Sequence, residues 1–368
     1  MPLPSIDIFK AHILNNKPYR GGSTREHGSK ILYKLSSNEN LLGPSPKAME
    51  AIVANVHRIG EYSYENDIVL RQAIAREFEE TIAIDQLITA NSGMELLDMI
   101  VRGFISPGEE VIISSPTFMA YKSFAALGGA VVKDVPLLSP DYDLDVVGIL
   151  QAVSWKTKLV FISNPNNPTG SLVSKAQMDV LLAGLPPHVV VVYDEVYHHY
   201  VESSDYPRAA DYILQGYPVI GIHSFSKAYG LAGLRVGYAF STPEIGQYLQ
   251  HIQRPFMINT LTTVAAVAAL GDREHLHKTR HLNSSGKVRL YNGLDLACIP
   301  FHSTDANFIL ACPPAGPDAF VEALQERGIM VRNASVMKAH GCVRITIGHP
   351  AANQYFCEQL KGLPVHAH

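Results

Sequence analysis

Five strand-like apolar runs punctuate the middle of the chain: Val111 to Ser114, Ala130 to Val135, Leu159 to Ser163, Val189 to Asp194 and Val219 to Phe225. Between them lie stretches with helical spacing, Thr117 to Leu127, Asp145 to Val153 and Lys175 to Ala183. A strand with so few polar positions needs cover on both faces. The alternation therefore predicts a mostly parallel sheet between two layers of helices, a three-layer α/β/α domain. Ligands of such sheets lie at the carboxyl ends of the strands. The most polar stretches follow Ser163, Val192 and Ile222, which predicts one shared site at that edge.

The flanks differ. Residues 1–35 read as an arm joining a small domain, with an amphipathic piece from Ile6 to Leu14. Ser36 to Pro46 is turn-rich, and Pro46 is placed to start a helix over Pro46 to His57. Leu70 to Glu80 and Glu95 to Phe104 repeat the helical spacing. A long helix is expected from Thr260 through Ala269 into His275 to His281. Beyond it, short strands at Ala306 to Ala311, Gly328 to Arg332 and Gly341 to Ile347 alternate with helices at Asp318 to Arg327 and Ala351 to Leu360. This predicts a large domain over 36–270 and a smaller α+β domain over 271–368, which suits 368 residues.

Charged residues are 17% of the chain and the formal net charge is −4, which argues against a nucleic-acid partner. Neither a signal peptide nor a membrane span is legible, so the expected compartment is the cytoplasm. Cys298, Cys312, Cys342 and Cys357 form no CxxC pair, and neither zinc nor a disulfide is expected from them.

Three stretches carry the chemistry. VIGIHSFSKAYGLAGLRVGY ends a strand in Ser224, Phe225, Ser226 and Lys227, with Arg235 in the glycine-rich turn that follows. A buried lysine is costly unless its amine is neutralised or used, and serines with an arginine suit an anion such as phosphate. NPNNPTG, from Asn164 to Gly170, is a rigid turn that projects amides. Asp194 ends another strand, either as a helix cap or as the partner of a cation. Taken together, lysine, phosphate holder and carboxylate are the equipment of a Schiff-base cofactor, pyridoxal phosphate above all. Asp194 suits its pyridine nitrogen, Asn167 and Tyr197 its ring oxygen, Lys227 its aldehyde and Phe118 its ring face. Ser224, Ser226, Arg235 and the backbone amides of Ser92, Gly93 and Met94 suit its phosphate.

The order NPNNPTG, DEVY and SFSKAYGLAGLRVGY resembles the fold-type I pyridoxal-phosphate aminotransferases, and the branch it looks most like is the histidinol-phosphate aminotransferases. SSNENLLGPSP, PTFMAY, SGMEL and VRITIG extend the similarity over nearly the whole chain. The resemblance implies that Arg344, with Arg332 nearby, holds the substrate's anionic group, that Tyr19 lies over the substrate, and that Asn167 borders it. It implies a homodimer in which Tyr62 reaches the partner's site, and closure of the small domain. The implied reaction moves an amino group from histidinol phosphate or an amino acid to a 2-oxo acid such as 2-oxoglutarate. An aromatic or broad-specificity aminotransferase and a phosphothreonine-type decarboxylase use the same apparatus.

This chain departs from the family pattern at three places. Ser63 and Tyr64 follow Tyr62 where proline and aspartate are usual. Phe256 stands where some members carry a tyrosine, and Gly93 with Met94 replace a small residue and an aspartate. A metal hydrolase is the rival from another class, resting on DEVYHHY, but that stretch lacks paired histidines one turn apart. His198 and His199 are expected on the solvent side of a loop, with no metal ligand.

Overall fold

The computed structural model describes residues 9–14, 16, 31–361 and 363. Tyr19 lies outside them, as does part of the expected arm. Strand β1 (Tyr33–Lys34) is followed by seven strands of one sheet: β2 (Leu87–Ala90), β3 (Glu110–Ile113), β4 (Val131–Asp134), β5 (Thr157–Ser163), β6 (Val190–Asp194), β7 (Val219–Ser224) and β8 (Gly237–Phe240). Their order across the sheet is β2-β8-β7-β6-β5-β3-β4. Only β8 runs against its neighbours.

Strands β5 to β8 bury nearly every position, as the apolar runs require. One apolar layer holds Val160, Ile162, Val191, Tyr193, Val219 and Phe240. The other holds Leu159, Phe161, Val190, Val192, Ile220 and Ile222. Consecutive residues of one strand thus fill opposite layers. Burying each such side chain stabilises the fold by roughly 1.5–3 kcal/mol before chain entropy is set against it.

A second sheet, of order β12-β13-β10-β9, contains β9 (Phe301–His302), β10 (Phe308–Ala311), β12 (Arg332–Asn333) and β13 (Val343–Thr346). Its core includes Leu290, Ile309, Phe320, Val343, Ile345 and Phe356. Strand β11 (Ile329–Met330) pairs in parallel with β1, which ties the start of the described main segment to this second unit.

Four features differ from the sequence-based expectations. Strands β2 and β8 were not expected, because glycine and small residues hide an edge pair. The long helix is two, Thr260–Leu270 and Arg273–Leu296. Asp272 caps the second by accepting from His275 N at 3.2 Å, and it also accepts from Ser45 Oγ at 2.6 Å. Ser45 in turn caps Pro46–Asn55 through Ala48 N, so one polar cluster starts two helices.

Cys312 and Cys342 form a disulfide, contrary to expectation. They continue the antiparallel pairing of Ala311 with Val343, so strand register brings together two residues 30 apart in sequence. Finally, His198 and His199 are not solvent-side. The His198 ring lies 3.8 Å from His199 and 3.8 Å from His223, stacked on the latter.

Candidate active site

The carboxyl ends of β5, β6 and β7 open into a cavity of about 510 Å³. Lys227, three residues beyond β7, faces it with Asp194 from the end of β6 and Tyr197 from the turn after β6. Lys227 Nζ lies 5.7 Å from the centre of the Tyr197 ring. Burial, reinforced by the Arg344 guanidinium, pushes the lysine amine down to about 8, so a usable neutral fraction exists near pH 7.

Asp194 is 5% exposed. Tyr121 Oη donates to one of its oxygens at 2.7 Å, and Val196 N donates to the other at 3.2 Å. Burial still raises its carboxyl to about 6, so a cation brought against it would be strongly favoured. The sequence reading did not single out Tyr121. Its position in PTFMAY was visible, but its partner is 73 residues away.

The anion end of the cavity is built where the helix Gly93–Phe104 begins. Gly237 is what lets that helix start so close to the sheet: a Cβ there would stand 3.0 Å from Gly93 N and 3.2 Å from Ser92 C. Ser92 is held at φ 95°, a conformation costing about 1–3 kcal/mol for a residue with a side chain. Its own amide donates to Ala90 O at 2.8 Å. That corrects one expectation, since the amide proposed for phosphate is already used, and it leaves the first-turn amides of Gly93 and Met94, which line the cavity. Ser224, Ser226 and Arg235 line the same end, with Ser226 N donating to Ser224 Oγ at 3.1 Å. Gly230 meets backbone rather than ligand: a Cβ there would lie 2.2 Å from Gly43 O.

Two arginines close the other end. Arg332 and Arg344 are direct partners on β12 and β13, and both line the cavity. Arg344 is 7% exposed, donating through Nη1 to Asn167 Oδ1 at 2.6 Å and through Nη2 to Ser36 O at 2.7 Å. Phe118 also lines the cavity and meets Tyr121 edge-on. Tyr62 does not line this chain's own cavity. It is exposed and forms an aromatic patch with Tyr64 and Phe256.

Behind Asp194 lies a buried polar chain. Glu195 accepts from Tyr206 Oη at 3.0 Å and from Ala209 N at 3.2 Å, and its other oxygen lies 3.1 Å from His223 Nε2. His223 Nδ1 is 2.8 Å from Tyr238 Oη. Burial raises Glu195 to about 7 and lowers His223 to about 3, so both groups are neutral between those two values. Among the described residues, no group of three or more His, Cys, Asp or Glu side chains is arranged to hold a metal ion. No described helix is long and apolar enough to cross a membrane.

Residues 30–360 match the family Aminotransferase class I and II. The chain belongs to that family. It is similar to a histidinol-phosphate aminotransferase of Moorella thermoacetica, 38% identical over 98% of this chain and 94% of that protein. It is also similar to histidinol-phosphate aminotransferase 2 of Caulobacter vibrioides, 37% identical over 91% and 88% of the two chains. Among solved structures, the histidinol-phosphate aminotransferase of Sinorhizobium meliloti in complex with pyridoxal-5′-phosphate superposes with a TM-score of 0.86. That chain is 26% identical, and the match covers 98% of this aminotransferase and 99% of that chain. This aminotransferase thus carries out transamination, and its α/β large sheet is that of fold-type I enzymes.

Proposed function

We propose that this aminotransferase holds pyridoxal 5′-phosphate in the cavity and moves an amino group from histidinol phosphate to a 2-oxo acid such as 2-oxoglutarate. The observation that carries this reading is the convergence of Lys227, Asp194 and the start of Gly93–Phe104 on one cavity, with two paired arginines opposite. The donor set fits the cofactor. Asp194 is a buried carboxylate suited to a pyridinium, and Gly93, Met94, Ser224, Ser226 and Arg235 suit its phosphate. Bound there, the cofactor supplies an aldehyde that condenses with amines and a ring that accepts electron density.

The chain's own residues do the rest. Asp194 holds a proton on the ring nitrogen. Tyr197 and Asn167 hydrogen-bond the ring oxygen, and Phe118 covers a ring face. Lys227 moves a proton to and from the reacting carbon as general base and acid. Two guanidiniums side by side suit a phosphate dianion better than a single carboxylate, which favours a phosphorylated donor. The names of the relatives agree with that choice. The exposed rings of Tyr62, Tyr64 and Phe256 support a homodimer in which Tyr62 completes the partner's site. The two sheets are read as a large domain over 36–270 and a small domain over 271–368, which closes on substrate.

The test is direct. Lys227→Ala should lose the borohydride-sensitive visible band and at least roughly 10²–10⁴-fold of turnover. Normal turnover in that variant would overturn the assignment. A donor panel with 2-oxoglutarate should show preference for histidinol phosphate. Preference for phenylalanine would make this a broad amino-acid aminotransferase with Arg344 on the carboxylate. Carbon dioxide released from phosphothreonine, without transamination, would make it a decarboxylase.

A further inference from the structure

Four consecutive residues, Ser36 to Glu39, border the cavity. Ser36 O accepts from Arg344, and Ser37 O accepts from Lys227 Nζ at 3.3 Å. Asn38 Nδ2 donates to Tyr197 Oη at 2.9 Å. This last contact differs in kind, because it decides which way a proton can point.

The orientation of the Asn38 amide is set by its neighbours. Asn38 N donates to Thr346 Oγ1 at 2.9 Å, and the Thr346 hydroxyl donates to Asn38 Oδ1 at 3.3 Å. With the amide oxygen facing a donor, the amide nitrogen must face the phenol. Asn38 O accepts from Asn307 Nδ2 at 3.0 Å, and the residue is 1% exposed. Its φ of 55° is one that asparagine tolerates better than most residues. Backbone and side chain are therefore both fixed.

We propose that Asn38 is a positioning residue for Tyr197, an inference that rests on the cofactor reading above. By donating to the phenol oxygen, Asn38 turns the phenol's own proton away from itself and toward the cofactor's ring oxygen. An acceptor at position 38 reverses that polarity. Asn38→Asp is nearly isosteric, keeps the Thr346 contacts and suits the left-handed backbone, yet it would draw the phenol proton to its carboxylate.

The readout is the pH titration of the visible band of the lysine-bound cofactor, which reports how well the ring oxygen is stabilised as an anion. It is taken in the wild type, Asn38→Asp, Tyr197→Phe and the double variant. The charged groups around Lys227 are Arg344, Glu39, Arg235 and Asp194, and none of them changes in the set. Asn38→Asp should move the midpoint upward by about one pH unit. In the Tyr197→Phe background the same substitution should move it by less than half as much. An equal shift in both backgrounds would be a charge effect that bypasses Tyr197, and it overturns the role, as does no shift at all.

If Asn38→Asp fails to fold, Asn38→Gly keeps the backbone conformation, adds no charge and removes the donor. Its upward shift should be smaller, about a third of a unit, and, with no charge added, should vanish with Tyr197→Phe. An unchanged midpoint in Asn38→Gly overturns the role. A wild type with no borohydride-sensitive band overturns the cofactor reading itself. A normal wild-type band with unshifted variants overturns only the role of Asn38.

Discussion

Burial, the nearby Arg344 guanidinium and Arg235 all push the Lys227 amine down, against Glu39 and Asp194. A neutral amine is what condenses with an aldehyde, so cofactor capture by the cofactor-free protein should speed up as pH rises through about 8. Removing a like charge favours the protonated amine. Arg344→Ala should therefore move that midpoint upward and slow capture near pH 7 by roughly threefold. Stopped-flow absorbance across pH measures both, and an unmoved midpoint would mean that Arg344 does not set the value. At this scale the sequence was most legible where chemistry and motif coincide. Lys227, Asp194, Tyr197, Asn167 and Arg344 are legible in the sequence as members of one site, and all five line the cavity. Asn38 and Tyr121 were not identified, because their roles lie in contacts 159 and 73 residues away rather than in their own residue types.

Among the elements, the parallel strands β3 and β5 to β7 could be read because cover on both faces forces near-continuous apolar sequence, while the edge strand β4 is only partly covered. Strands β2 and β8 could not, since β8 opens with the glycine that admits Gly93 and reads as part of a turn. The buried chain behind β6 and β7 was also hidden: Glu195, His198 and His223 look like surface residues until the sheet stacks them. That chain makes a testable statement about pH. Glu195 is raised to about 7 from an ordinary 4.5. The stability it gains as a neutral acid is complete below 4.5 and is lost as pH rises through about 7. Glu195→Gln keeps a neutral group at every pH, and its amide can still accept from Ala209 N and Tyr206. The variant should match the wild type near pH 4.5 and exceed it above pH 7 by on the order of 2 kcal/mol. Because His198 and His223 remain in both chains, the difference isolates Glu195. Urea midpoints at pH 5 and pH 8 decide it, and a variant no more stable at pH 8 sinks the idea of a neutral pair.

For the molecule as a whole, the second sheet brings two arginines to a cavity built by the first, and the Cys312–Cys342 bridge closes the loop that carries one of them. Arg332 and Met337 both lie within that loop and both line the cavity. The bridge was not legible because widely spaced cysteines give no register, and register is what β10 and β13 supply. Replacing both cysteines by serine should cost roughly 3–4 kcal/mol for a loop of this length. A thiol reductant should lower the wild-type Tm and leave the double variant unchanged, as calorimetry can show. If the reductant moves neither chain, the pair does not bridge in solution.

The tie between Asn38 and Thr346 spans 308 residues. A ribosome that has released the large sheet into solution has still not made the strand to which Asn38 binds. Sheet β2 to β8 can form as a unit during synthesis, but the Tyr197 phenol gains its orienting neighbour in full only after β13 has emerged. Arg344, which lines the same cavity, is itself carried by β13, so the cavity is completed only once that strand has been made.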